Sequence, residues 1–240
     1  SAASDVYKRQ EYMKLDPYFR KFNHNKMTFG LTYFNSENFI LVLSHDEVVH
    51  LKCSMINKMP GYFPDKFANL KAGYTYMMGH PGKKLLFMGQ DFGQLHEWDE
   101  KVSLDWYLTE EELHSDLQHY VRDLLHIYQK YPALYESDDD WDGFQWINAN
   151  DGDRSIFSFV RYAKSKRKSL LFVCNFTPME RPEYRVGVPK RGNYTLLLDN
   201  SHGAYAPSEC PVFRAVKKEC DGQPFSISLP LSAYGTAILR

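Results

Sequence analysis

Near residue 135 the rhythm of the apolar residues changes, and that change commits the chain to two kinds of architecture. Before Tyr135–Asp142 compact apolar runs alternate with helical patterns; after it, short β-rich runs follow one another between turns. In the first part Asn38–Leu43 (NFILVL) reads as a strand buried on both faces. A helix is predicted over Pro64–Gly79, with Phe67, Leu70, Tyr74, Met77 and Met78 at helical spacing and Pro81-Gly82 ending it. Lys84–Met88 (KLLFM) is the next strand, running into the polar turn Gly89-Gln90-Asp91. A second helix is predicted over Thr109–Lys130, opened by a Thr109 cap and the acidic run Glu110–Glu112, which suits the positive end of a helix dipole.

Strand, helix, strand, helix is a pair of βα units. Two units cannot close a (β/α)₈ barrel, which takes eight strands and about 250 residues. Either the region is a small open sheet or it is the last part of a barrel whose beginning lies elsewhere. Unprotected strand edges in a small sheet favour the second reading.

The second part offers strands at Phe144–Ala149, Ser155–Ala163, Ser169–Phe176, Tyr184–Val188, Tyr194–Leu198, Phe225–Leu229 and Thr236–Leu239. Asp151-Gly152-Asp153 and Lys164–Lys168 read as hairpin turns. Alternation through Ile156-Phe157-Ser158-Phe159-Val160 predicts sheets with one buried face, and hence an antiparallel β-sandwich. The first ten residues, SAASDVYKRQ, fit neither pattern and read as a non-native scar. The expected organisation is therefore 1–10 scar, 11–135 C-terminal part of a (β/α)₈ barrel and 136–240 β-sandwich.

A net charge of −1 without a long basic track argues against nucleic acid as a partner. No run approaches the roughly 20 apolar residues that span a bilayer. The cysteines at 53, 174, 210 and 220 form no CxxC pair, so reduced thiols and a cytoplasmic setting are expected, with a Cys210–Cys220 bridge as the alternative. Aromatic residues make up 15% of the chain, which suits sugar stacking but suits an aromatic core better.

The most informative stretch is Ser44–His50 (SHDEVVH), directly after the first strand. Barrel enzymes place catalytic groups at the C-terminal ends of their strands. A carboxylate there, Asp46, with the imidazole of His45 beside it, can hold sugar hydroxyls and favour positive charge at an anomeric carbon. Asp46 as a helix cap and His45 as a packing residue fit the position equally well. A zinc site does not: His45 and His50 are five apart, about 140° around a helix at roughly 100° per residue, whereas a zincin helix needs i, i+4. No metal is expected.

The run NFILVLSHDEVVH resembles the fourth signature region of the α-amylase superfamily, in the form typical of bacterial glycogen branching enzymes. The resemblance continues through MPGYFPDKFANLKAGYTYMMGHPGKKLLFMGQDFGQLHEWDEKVSLDW, Arg122–Leu124 (RDL), Cys174–Pro178 and Tyr184–Pro189 (YRVGVP), and upstream through Met13–Tyr33. It covers nearly the whole chain after the first ten residues.

That resemblance implies a C-terminal portion of a cofactor-free transglycosidase acting on an α-glucan such as glycogen or amylose, monomeric in its complete form. In such an enzyme a carboxylate nucleophile forms a glycosyl-enzyme, a Glu protonates the leaving oxygen, and an acceptor 6-hydroxyl completes an α-1,6 branch. Matched by motif, Asp46 is the third, transition-state-stabilising carboxylate and His45 its sugar-binding neighbour. No motif for the nucleophile or the acid occurs in this chain, and Glu47 does not replace the acid, so the chain alone is expected to be inactive. Two readings compete: a non-catalytic glucan-binding module, and a fragment of an amylase-type hydrolase.

Two departures from the family pattern stand out. Leu51 occupies a position usually Gly, followed by Lys52-Cys53-Ser54, which places a stiffer residue in the loop. Gly89-Gln90-Asp91-Phe92 stands for the usual Gly-Asn-Glu-Phe, so Asp91 keeps the charge one methylene shorter and is taken as a site-supporting, substrate-side residue. Trp98, Trp106 and Tyr107 could be glucan platforms, but packing between the two parts is the favoured reading.

Overall fold

The computed structural model describes residues 2–32, 40–43, 48–49 and 51–240. His45, Asp46, Glu47 and His50 lie outside the described residues. The helical elements are α1 (Ala2–Lys14), α2 (Pro17–Arg20), α3 (Asn25–Thr28), α4 (Met55–Lys58), α5 (Phe63–Gly79) and α6 (Glu112–Lys130). The strands are β1 (Ile40–Leu43), β2 (Lys83–Leu86), β3 (Phe144–Asp151), β4 (Ile156–Tyr162), β5 (Ser169–Asn175) and β6 (Arg181–Val188). They continue with β7 (Asn193–Asp199), β8 (Gly203–Ala204), β9 (Val212–Arg214), β10 (Phe225–Leu231) and β11 (Thr236–Leu239).

β1 and β2 pair in parallel, Ile40 opposite Lys83 and Leu43 opposite Leu86, with α5 crossing between them. This is the βαβ unit that the apolar runs predicted. α5 opens at Tyr62, whose backbone N–H donates to the Asp65 carboxylate at 3.3 Å. α6 starts three residues later than predicted. Thr109 sits in the preceding 3₁₀ turn and donates its hydroxyl to the Trp106 carbonyl at 2.7 Å, so it does not cap the helix. Residues 2–10, set aside on sequence grounds, run into α1, where Asp5 is buried.

The β-rich part forms two sheets. The larger runs β3-β4-β5-β11-β7-β8, with β9 also on β7; the smaller is the antiparallel pair β6–β10. Between them lies an aliphatic core that includes Ile156, Val160, Leu171, Val173, Val186, Val188, Ile227 and Leu229. The opposite face of the larger sheet is covered as well. Phe157, Phe159, Phe172, Cys174 and Ile238 pack with Tyr76, Met77, Leu117 and Leu124 of α5 and α6. β4 is therefore buried at all seven positions, which corrects the expectation of one solvated face. Side chains alternate across a strand, so Phe157 and Phe159 of β4 serve the helix layer, and Ile156, Val160 and Tyr162 the sandwich. Phe159 stacks on Phe172 at 5.1 Å, and much of the aromatic content is spent in this core. A Cβ at Gly79 would lie 2.7 Å from both rings, so only glycine lets the end of α5 approach so closely.

Polar contacts fix the helix layer to the sheet. Arg161 of β4 is fully buried; its guanidinium donates to the carbonyls of Gly79 (2.8 Å) and Gly143 (3.1 Å) and to the Asp138 carboxylate (2.7 Å). Burial acts to raise the pKa of Asp138, but Arg161 and Lys84 outweigh it and hold the carboxyl below its usual range. Arg20, also fully buried, joins the Asn69 side chain (2.7 Å), the Phe176 carbonyl (2.8 Å) and the Met13 carbonyl (2.9 Å). The Tyr120 hydroxyl bridges Thr75 of α5 (2.5 Å) to Thr236 of β11 (2.8 Å). All four cysteines are free thiols, Cys210 and Cys220 included.

Removing Arg161 strands two buried carbonyls and a half-buried carboxylate at once. Arg161→Ala is expected to lower the unfolding free energy by roughly 3–5 kcal/mol, whereas Lys166→Ala, at an exposed pair with Asp142, costs no more than about 1 kcal/mol. Urea denaturation of the two variants checks the contrast.

Candidate functional site

The C-terminal ends of β1 and β2 point the same way, and the loops that leave them meet. Beyond Leu86 the ladder gains one more bond, from the Phe87 N–H to the Leu43 carbonyl at 3.0 Å. Gly89 and Gly93 then adopt φ of 80° and 69°, left-handed angles that suit glycine, and bracket a 3₁₀ turn over Gln90–Phe92. The Gln94 N–H closes this turn on the Gly89 carbonyl at 2.9 Å.

α5 and α6 hold the turn from below. The Tyr74 hydroxyl donates to the Gln90 carbonyl at 2.8 Å, and burial, with Asp91 nearby, raises the pKa of that phenol. His114 Nδ1 lies 2.7 Å from the Phe92 carbonyl. Asp91 accepts from the Gln118 amide at 3.0 Å. Its described contact is thus with α6, and it does not line the small cavity formed by Val48, Ser54, Ile56, Gln90, Gln94 and Trp98. Gln90, its neighbour, does line that cavity, is 4% exposed, and has neither side-chain amide atom hydrogen-bonded. Sequence reasoning singled out Asp91 for its charge and passed over Gln90, whose neutral side chain gave no signal.

The loop after β1 is stitched to the loop after β2. The Val48 carbonyl accepts from the Trp98 N–H at 3.1 Å. The Glu97 carboxylate accepts from the Leu51 N–H at 3.1 Å and the Cys53 N–H at 2.7 Å. Ser54 Oγ and the Asn57 amide both donate to the Leu95 carbonyl, at 3.0 and 2.7 Å. Leu51, at the position the family pattern gives to glycine, has φ of 65° and is almost fully exposed. Cys53 repeats that conformation at 63°.

The three aromatic candidates separate. Trp98 is half-buried against Phe87, ring centroids 5.2 Å apart. Trp106 and Tyr107 are more than half exposed, and Trp106 touches Phe92 at 5.4 Å. The expectation that they pack between the two parts fails for these two, because the 3₁₀ turn Trp106–Glu110 turns both rings outward. Among the described residues no group of three or more His, Cys, Asp or Glu is placed to hold a metal ion, and no helix is long and apolar enough to cross a membrane.

Asp91 and Gln118 form a pair whose coupling can be measured. Asp91→Ala and Gln118→Ala are each expected to lower stability by about 1 kcal/mol, and the double variant by less than the sum, because the two changes remove one shared bond. A double-mutant cycle in urea reads that difference.

Residues 146–240 match the family model of the α-amylase C-terminal all-β domain. The chain is 58% identical over 231 residues to the 1,4-alpha-glucan branching enzyme GlgB of Butyrivibrio fibrisolvens, covering 95% of this chain and 36% of that protein. It is 46% identical over 234 residues to the branching enzyme GlgB of Aquifex aeolicus, covering 95% of this chain and 37% of that one. The chain thus spans about a third of the length of the curated relatives it matches. The crystal structure of type I pullulanase from Bacillus subtilis, complexed with maltose, superposes over 93% of this chain and 32% of its own, with a TM-score of 0.66 at 15% identity. That likeness concerns the fold alone. By sequence the chain is similar to 1,4-α-glucan branching enzymes along 95% of its own length, and residues 146–240 of its β-rich part match the α-amylase C-terminal all-β domain.

Proposed function

We propose that this chain is part of a 1,4-α-glucan branching enzyme, in which β1, α5, β2 and α6 are the last units of a (β/α)₈ barrel. The observation that carries the reading is the SHDEVVH sequence following a strand that pairs in parallel with β2, in a chain 58% identical to a branching enzyme along 95% of its length. Barrel chemistry sits at that end of the strands.

In this reading Asp46 is the carboxylate that stabilises the oxocarbenium-like transition state, and His45 binds the sugar beside it. The nucleophile and the general acid, about 5–5.5 Å apart in a retaining enzyme, come from parts of the protein outside this chain. An α-glucan is cleaved at an α-1,4 bond, and the glycosyl-enzyme is captured by a 6-hydroxyl in place of water. Exposed Trp106 and Tyr107, on the loop that follows β2, supply flat apolar faces to which sugar C–H surfaces can stack. The β-sandwich supports the helix layer through Arg161 and Arg20.

In the complete natural protein, Asp46→Ala is expected to abolish branching, read as loss of the iodine-stain shift of amylose, while the 240-residue chain alone shows no turnover. Retained branching by the variant removes Asp46 from the mechanism.

A further inference from the structure

Residues 44–47 are flanked by Leu43 and Val48, and the carbonyls of both accept backbone hydrogen bonds from one segment, the chain leaving β2: Phe87 N–H to Leu43 at 3.0 Å and Trp98 N–H to Val48 at 3.1 Å. Immediately beyond, the path of residues 51–53 is unusual. Leu51 and Cys53 are both non-glycine residues in the left-handed region, with φ of 65° and 63°. Such a conformation is uncommon in L residues and persists only where its surroundings hold it. The backbone N–H groups of these same two residues converge on one side chain, Glu97, whose two oxygens accept them at 3.1 and 2.7 Å. An ionised carboxylate has acceptor capacity for both at once, and charge-assisted bonds of this kind are the strong ones. Leu51 makes no compensating apolar contact, since its side chain is 95% exposed.

We propose that Glu97 is a positioning residue: its carboxylate fixes the backbone at Leu51 and Cys53 and, together with the Trp98 N–H on the Val48 carbonyl, ties these residues of the loop after β1 to the chain leaving β2. The inference rests on the branching-enzyme reading for its consequence but not for its geometry. It also explains how a Leu is accommodated where the family pattern has glycine. Glycine would adopt the left-handed angle unaided; here the carboxylate imposes it from outside. Adjacent contacts divide the work. Ser54 and Asn57 tie the loop's far end to the Leu95 carbonyl, so losing Glu97 frees the middle of the loop without releasing its ends.

The test compares the complete natural protein with its Glu97→Gln variant. Glutamine keeps the shape but has one acceptor oxygen, so one of the two N–H groups is released. Amide hydrogen exchange over residues 51–53 is expected to speed up by on the order of tenfold, with far-UV circular dichroism unchanged. Branching kcat is expected to fall on the order of 10- to 100-fold, as for a misplaced reacting group, with KM within about twofold. Leu51→Gly in the Glu97→Gln background is expected to restore part of kcat, because glycine adopts the left-handed angle without the carboxylate. Unchanged exchange in the variant overturns the proposal, and so does faster exchange with kcat intact. Absence of branching in the unaltered protein would instead overturn the functional reading, and the exchange comparison would still decide whether the carboxylate holds the loop.

Discussion

A sheet buried on both faces leaves its helices with an apolar surface to lie on but nothing to fix their position along it. Arg161 supplies that fix. A guanidinium taken fully out of water costs several kcal/mol unless its donors are matched, and here the acceptors come from two separate places: the end of α5, and the connection before β3 through the Gly143 carbonyl and Asp138. Satisfying one side chain therefore registers α5, the linker and β4 against one another. Arg20 does the same near the start of the chain, joining α1, α5 and the residue after β5. With the Tyr120 bridge, the two arginines act as polar pins in a layer whose apolar contacts, aromatic rings on leucines and methionines, would tolerate sliding.

With α5 held against the sandwich, the strands on either side of it are held too, because β2 begins four residues after α5 ends. The loops at the strand ends inherit this order through a second tier of contacts. Tyr74 and His114 reach from α5 and α6 to the carbonyls of the 89–93 turn, and that segment in turn holds the loop after β1 through Glu97 and Trp98. A chain of support thus runs from the sandwich through two helices to the end of β1. It gives the C-terminal all-β domain a physical role toward the loops at the ends of β1 and β2.

Much of this was legible in the residues. The apolar runs at Asn38–Leu43 and Lys84–Met88, separated by a helical pattern, announced the parallel pair, and hairpin turns at 151–153 and 164–168 separated strands that do pair. The candidate site was legible only as a motif, since His45 and Asp46 lie outside the described residues. What failed did so for physical reasons. Thr109 looked like a cap because caps are read from local chemistry, yet its hydroxyl is engaged by the turn before the helix. β4 looked half-exposed because Ser158 interrupts its apolar run, while the fold buries that serine completely. Asp91, expected on the substrate side for its charge, accepts a hydrogen bond from Gln118 of α6, a contact that the residues alone did not announce.

The sequence by itself determined the order of elements, the change from βα units to antiparallel strands, and the resemblance to branching enzymes, because period and motif are local properties of the chain. Only the tertiary structure decided that both faces of the large sheet are covered, which arginines pin the layers, and that one carboxylate forty-odd positions downstream governs the backbone at Leu51 and Cys53. Those outcomes depend on which groups lie close in space once β1 and β2 are paired. Nothing in the spacing of Glu97 from Leu51 along the chain encodes that proximity.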